Sequence, residues 1–257
     1  MTGTHKLRGW LLDLYPNEVG LSVWVLGQDG KRYHLHHNFV VEFYIAGPSS
    51  QLRSAWKWLL SQPEKPALAR EERKDLFAGM IPVLAVELTK PIDLPYLFRR
   101  ISKAFPDLTY YDVDIHMSLR YAARHGAYPL ADCEVEIDAL NRIHAIQVLS
   151  SPWDIDTIHP PLSVLTLEPE CDPFHAEPRK IWIQTAQARF TLDLEPKRAF
   201  LVALRAVLKR HDPDLILTAW GDTWLLPRIL DMAKETRLDI SLNRDPDHEI
   251  KYRKART

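Results

Sequence analysis

Cysteine, glycine and excess positive charge are all scarce in this chain, and each shortage excludes something. Two cysteines, Cys133 and Cys171, lie far apart with no ligand spacing, so neither a disulfide framework nor a cysteine-based zinc site is encoded. A reduced, cytoplasmic compartment is the setting this implies. No apolar run approaches the ~20 residues a bilayer-spanning helix needs, so no membrane is expected as a partner. The opening Met-Thr-Gly-Thr-His-Lys lacks the apolar core of a signal peptide. Thirty-three Lys and Arg face 34 Asp and Glu, for a formal net charge of −1. That removes the basic footprint of many stand-alone DNA-binding domains and argues against tight autonomous duplex binding, without excluding local basic patches. Nine glycines against nineteen prolines point to stiff connections rather than flexible linkers.

What is present is an ordinary globular balance, 46% hydrophobic and 26% charged, sufficient for one large core or two smaller ones in 257 residues. Residues 10–14, 21–26, 33–35 and 40–45 read as strands of one antiparallel meander, with Gln28-Asp29-Gly30 as a hairpin turn. His34, His36 and His37 cluster near the third run. No carboxylate or cysteine spacing completes a metal site there, so they read as strand and loop histidines. Gly47-Pro48-Ser49-Ser50 breaks the strand and caps a helix carrying Leu52, Ala55, Trp56, Leu59 and Leu60. The mixed charges of 64–75 read as loop or exposed helix.

Residues 83–88 form a further strand. Asp93 caps a second helix with Leu94, Leu97, Phe98, Ile101 and Phe105 on its apolar side. Residues 110–114 return as a strand, and two strand–helix–strand units on a mostly antiparallel sheet predict an α+β domain. Residues 115–130 read as a helix ended by Gly126, with Leu119, Tyr121 and Ala122 inward and Arg120, Arg124 and His125 outward. Arg120 and Arg124, beside tyrosines, are candidate contacts to a nucleic-acid backbone; an ordinary solvated helix surface is the plainer account. Residues 133–149 read as two more strands. The proline-bearing stretches at 150–152 and 159–161 place a domain boundary near residue 155.

The second domain, 156–257, opens on its most informative stretch. Leu162, Val164, Leu165 and Leu167 read as a short buried strand ending in Glu168 and Glu170. Side chains two apart on an extended segment point the same way, so one strand end offers two carboxylates. Hard divalent cations such as Mg²⁺ favour oxygen ligands, and two-metal nucleases use such a pair to clamp their ions. A solvated acidic pair in a proline-rich turn is the plainer account. Two strands follow, 181–184 and 189–194, then a helix opening at Glu195-Pro196 with Phe200, Leu204, Val207 and Leu208 on its buried stripe. Residues 215–218 read as a fourth strand, parallel to the first and buried on both faces. A last helix carries Leu225, Leu226, Ile229, Leu230 and Ala233. Asp222 stands where an N-cap belongs and also near where a further metal carboxylate is wanted.

These pieces, in this order, resemble family B DNA polymerases. Residues 164–171 (Val-Leu-Thr-Leu-Glu-Pro-Glu-Cys) look like the family's first exonuclease motif, an apolar strand running into Asp-x-Glu. Residues 213–230 look like its second motif region, in which a strand beginning Pro-Asp leads to an Asn and then Phe-Asp-x-Pro. Residues 114–121 and 126–135 are similar to the segment closing its N-terminal domain, and 9–15 and 43–48 to its first strands. The resemblance covers nearly the whole chain. It implies an α+β N-terminal domain, partly ferredoxin-like, followed by a ribonuclease H-like exonuclease domain incomplete at its C-terminus. The departures imply lost chemistry. Glu168 stands at the family's metal-binding Asp and Glu170 at its Glu, but Leu225 stands at the second catalytic Asp and Trp220 at the Asn. A third motif, Tyr-x-x-x-Asp, has no counterpart before Thr257.

The resemblance thus implies a template-guiding region without a polymerase active site, with DNA template or single-stranded DNA as partner and no cofactor. An active exonuclease would instead need Mg²⁺ or Mn²⁺ on Glu168, Glu170 and Asp222. A non-catalytic single-strand-binding module is the third reading. The basic tail, 244–257, reads as the start of an unfinished domain.

Overall fold

The structure, a computed structural model, describes residues 3–156 and 158–245. The chain divides into two units, 1–160 and 161–257. The tail expected to open an unfinished domain falls, from residue 246 on, outside the described residues.

In the first unit, β1 (His5–Asn17), β2 (Gly20–Gly27) and β3 (Arg32–His37) form successive antiparallel hairpins. The Asp-Gly turn joins β2 to β3, with Gly30 at φ +78, a backbone region glycine enters without steric cost. The chain then leaves as β4 (Val41–Ala46), α1 (Ser49–Leu60), β5 (Ala67–Asp75), β6 (Gly79–Leu88), α2 (Leu94–Ala104), β7 (Thr109–Tyr111) and α3 (Met117–His125). It returns as β8 (Asp132–Ile137) and β9 (Arg142–Val148). β8 pairs with β1, and β9 pairs parallel with β3, closing a five-stranded barrel in the order β1-β2-β3-β9-β8. The inserted strands form a separate antiparallel sheet, β5-β6-β4-β7, with α1 and α2 as crossovers: the split β-α-β-β-α-β arrangement.

Alternation explains the common core. Leu21, Val23, Val25 and Leu35 point into the barrel, and Phe43, Ile45, Val86 and Leu88 line one face of the inserted sheet; all belong to one buried cluster with Leu97 and Ile101 of α2.

Three expectations are corrected here. Residues 40–45 do not continue the meander: β4 pairs with β6 and β7, because Phe39 and Val41 turn the chain into the second half of that core. Segment 64–75 is largely strand. β5 pairs with β6 along its full length, from Ala67 opposite Glu87 to Asp75 opposite Gly79. Asp75 closes the turn by accepting the amides of Phe77 and Ala78 at 2.8 and 2.7 Å. Nine residues of backbone ladder outweigh a poor strand composition, and charge on an edge strand discourages pairing with other chains. The expected caps are absent: α1 begins after Pro48, and Asp93 holds the N-cap position of α2, both without a side-chain capping bond.

The second unit begins with β10 (Val164–Pro169), β11 (Lys180–Gln184), β12 (Arg189–Asp193) and α4 (Lys197–His211). It continues as β13 (Leu215–Thr218), a π-helical turn over Gly221–Leu225, and α5 (Leu226–Thr236). The sheet order is β12-β11-β10-β13, with β10 and β13 parallel as expected. Leu165, Leu167, Ile181 and Ile183 pack with Phe200, Leu204, Ile229 and Met232. β13 is not buried on both faces, however. It is an edge strand, and Leu215 and Leu217 are 43% and 47% exposed. Arg244 fixes its start, bridging Asp212 at 2.7 Å and the fully buried Asp214 carboxylate at 2.8 Å; Asp214 also accepts the Ser163 amide.

His37 points inward from β3, 9% exposed, with Nδ1 2.8 Å from the hydroxyl of the fully buried Tyr121. Burial, with smaller contributions from His125, Arg124 and His144, lowers its pKa from 6.5 to about 4. Above pH 6.5 this imidazole is neutral folded and unfolded; between 6.5 and 4 only the unfolded chain takes the proton. Denaturant titrations are therefore expected to show the first unit losing about 3 kcal/mol from this group as pH falls through that window, a loss that His37→Gln removes.

Candidate nucleic-acid interface

The carboxylates of the second unit were expected at the end of β10, and their directions follow from its pleat. Leu165, Leu167 and Pro169 are buried against the helices, so Glu168 faces the other side, opposite Trp182 of β11. Glu170 lies one residue beyond the strand and is committed to its loop. Its amide donates to the Lys180 carbonyl at 3.1 Å, and its Oε1 accepts the Arg179 amide at 2.7 Å.

Asp222 is exposed within the π-helical turn. It is not the N-cap: that position belongs to Trp220, in the left-handed region at φ 49, and the N-cap of α5 is Leu225. An acid in a first turn still complements the helix dipole, which explains the residue type without a cap. The Leu225 amide donates to the Trp220 carbonyl at 2.9 Å, five residues back. The turn is thereby widened. Gly221 lies against Thr218 so closely that a β-carbon there would collide with the Thr218 hydroxyl. Leu225 itself is fully buried, in the core with Leu204 and Ile229.

Glu168, Glu170 and Asp222 are thus not drawn into a metal-binding set. Among the described residues no three His, Cys, Asp or Glu side chains gather closely enough to hold an ion. The histidines of β3 make none either: His34 and His36 share one face and His37 the other.

The other candidates, Arg120 and Arg124, lie in the first unit on α3. The helix is rotated from the expected orientation. Leu119 is 64% exposed, Tyr121 is buried, and Arg120 turns inward. The reason is a pair of backbone carbonyls: Arg120 Nε donates to Ile115 at 3.2 Å and Nη1 to Glu42 at 2.8 Å. Its Nη2 is buried with no partner among the described residues, and burial pulls the guanidinium pKa down. Arg124 stays exposed, donating to the Val40 carbonyl at 3.1 Å and lying 5.2 Å over the Phe39 ring.

Both arginines line a cavity of about 560 Å³ that also takes in Tyr44, Arg73, Ile115 and Leu119. Arg73 donates to the Tyr44 hydroxyl at 2.8 Å and lies 4.6 Å over its ring. Burial, then the hydrogen bond to Glu42, push the Tyr44 hydroxyl up to about 12. Three guanidinium groups, of which Arg73 is paired with Glu71 at 2.8 Å, share the cavity with an aromatic ring, an apolar wall and the acids Glu42 and Asp112. Guanidinium and ring are the groups that take a phosphate and its attached base. Sequence reasoning missed Tyr44 and Arg73. Arg73 lay in a segment of mixed charge that read as loop or exposed helix. The β4–β6–β5 register puts it on the same face as Tyr44 but four residues along β5 from Ala69, and its long side chain spans the gap.

No family model matches the chain, and no curated protein matches it. A solved structure does: the family B DNA polymerase from the hyperthermophilic archaeon Pyrobaculum calidifontis is similar, at a TM-score of 0.66 and 22% identity. The match covers 93% of this chain and 34% of that one, so the chain spans about a third of that structure's length. At this identity the likeness establishes the fold. Among the described residues no helix is long and apolar enough to cross a membrane.

The burial of Leu225 sets a direct test. Leu225→Asp places an unpaired carboxylate in an apolar core and is expected to cost the second unit about 3 kcal/mol or more. Because the position faces away from Glu168, Mn²⁺ titration of that variant, followed calorimetrically, is expected to give no new binding.

Proposed function

We propose that this chain is the N-terminal part of a family B-type DNA polymerase, structural and template-guiding, with an exonuclease-like domain that has lost its chemistry. The fold likeness over 93% of the chain carries the reading. The ordered motif resemblances point the same way. The three-strand, helix, strand, helix order of the second unit, with β10 and β13 parallel, supports a ribonuclease H-like assignment. The buried Leu225 and the separated acids support inactivity. In this reading no metal acts in the second unit, and DNA is held in the first unit by Arg124 at the surface. Arg120 and Arg73 shape the cavity beneath it.

Digestion of 3′-labelled single-stranded DNA in Mg²⁺ and in Mn²⁺ is the test of lost chemistry. No trimming above background is expected. Metal-dependent trimming that disappears in Glu168→Ala or Glu170→Ala would overturn inactivity. For the DNA contact, Arg124→Ala is expected to weaken single-strand binding regardless of sequence and to lower the log–log salt slope by about 1. An unchanged slope removes Arg124 from the interface.

A further inference from the structure

The outward face of β1–β3 is unusual for a barrel exterior. Antiparallel strands with one solvated face usually carry scattered charged and small polar residues there. Here strand register brings together an aromatic and imidazole platform. Trp24 lies between His34 and the exposed Asp13, and Ser22 lies between Tyr15 and His36. The Trp24 and His34 rings stack in parallel, 4.5 Å apart and 3° from coplanar, and His36 lies 4.9 Å from His34. Hydrogen bonds hold the group rigid. Trp24 Nε1 donates to the Tyr15 hydroxyl at 2.9 Å, Asn17 donates to the Ser22 hydroxyl at 2.9 Å, and His34 Nε2 meets that hydroxyl at 3.1 Å. Trp24, His34 and His36 each keep some exposed surface. The next strand, β9, sets the exposed Arg142 directly opposite His36.

The barrel order adds an independent observation. A closed β1-β2-β3-β9-β8 barrel, with its third and last strands parallel, has the arrangement of OB-type barrels. In those barrels the second and third strands carry oligonucleotides. Non-sequence-specific single-strand binding needs aromatic rings for bases and a cationic edge for phosphates. We propose that the β1–β3 face of the barrel, centred on Trp24 and His36 with Arg142 as its cationic edge, binds single-stranded nucleic acid by base stacking. This site is separate from the Arg120–Arg124 cavity and does not rest on the polymerase reading.

Fluorescence anisotropy of the whole chain with labelled dT12, rU12 and a dT12·dA12 duplex, in low salt, tests it. Wild type is expected to bind at least one single strand in preference to the duplex; the two single-strand arms tell which sugar is favoured. Trp24→Ala is expected to weaken that binding about tenfold. Trp24→Phe, which keeps a ring, is expected to restore most of it, and the surface change Arg142→Glu to weaken it without disturbing the fold. Circular dichroism melts of each variant separate lost binding from lost structure. No binding by wild type, equal binding of duplex, or folded Trp24→Ala and Arg142→Glu variants that bind like wild type would each overturn the site. If only Arg124→Ala weakens binding, the barrel proposal fails while the cavity reading stands; the converse leaves the barrel site standing and removes the cavity contact.

Discussion

The first unit depends on one long-range pairing, that of β1 with β8. Arg8 and Asp132 meet at 2.8 Å although 124 residues separate them in the chain. Everything from β4 to α3 is inserted between the first three strands of the barrel and the two that close it. Loop-closure entropy grows only slowly with length, so an insertion this large is tolerable provided it buries its apolar face in a core. It shares one, through Phe43, Val86 and Leu97. The exposed Lys6–Glu134 ion pair marks the register but contributes little to holding it, and Arg8 marks it on the buried Asp132. The pleat does more: Cys133, Val135 and Ile137 are buried on alternate positions of β8, and a one-residue slip would turn all three to solvent.

The same period of two decides what the second unit can do. Because Leu165 and Leu167 must face the helices, Glu168 must face away from them. Leu225, at the end of the π-helical turn, packs into the helix side. A carboxylate simply substituted there would therefore meet an apolar core rather than Glu168. Leu225 and the wide turn form one feature: the turn swings an apolar side chain into the core, and the core has filled around it.

Elements whose patterning was local were legible in the sequence. The β2–β3 hairpin, the α2 stripe, the end of α3 at Gly126 and the β10–α4–β13 succession follow from alternation, helical spacing and turn residues. What failed depended on partners distant in sequence. β5 is a strand only because β6 supplies its ladder, and β4 leaves the meander only because β7, from beyond α2, completes its other edge. Arg120 misled for the same reason. A charged residue on a short helix reads as outward, and the Glu42 carbonyl that turns it inward comes from a strand 78 residues earlier. Asp222 shows that a correct residue type can be assigned the wrong position: an acid favours the first turn whether or not it caps it.

A net charge of −1 does not decide against a nucleic-acid surface, because charge placement matters more than its sum. On the β8 side of the barrel, Glu134 and Asp132 are engaged by Lys6 and Arg8, while Asp138 is engaged by His144 and by backbone amides. Glu134 and Asp132 are thus paired with cations where they stand, and Asp138 is held by hydrogen bonds. Arg142, on the strand beside His36, is exposed at the edge of the ring platform, and its charge helps to hold the Asp138 carboxyl below its usual range. Binding led by stacking requires few phosphate contacts, because each base offers a π-face whatever its sequence. A barrel with an aromatic face and one cationic edge can therefore hold a flexible single strand while leaving a stiff duplex, whose bases are already stacked, in solution.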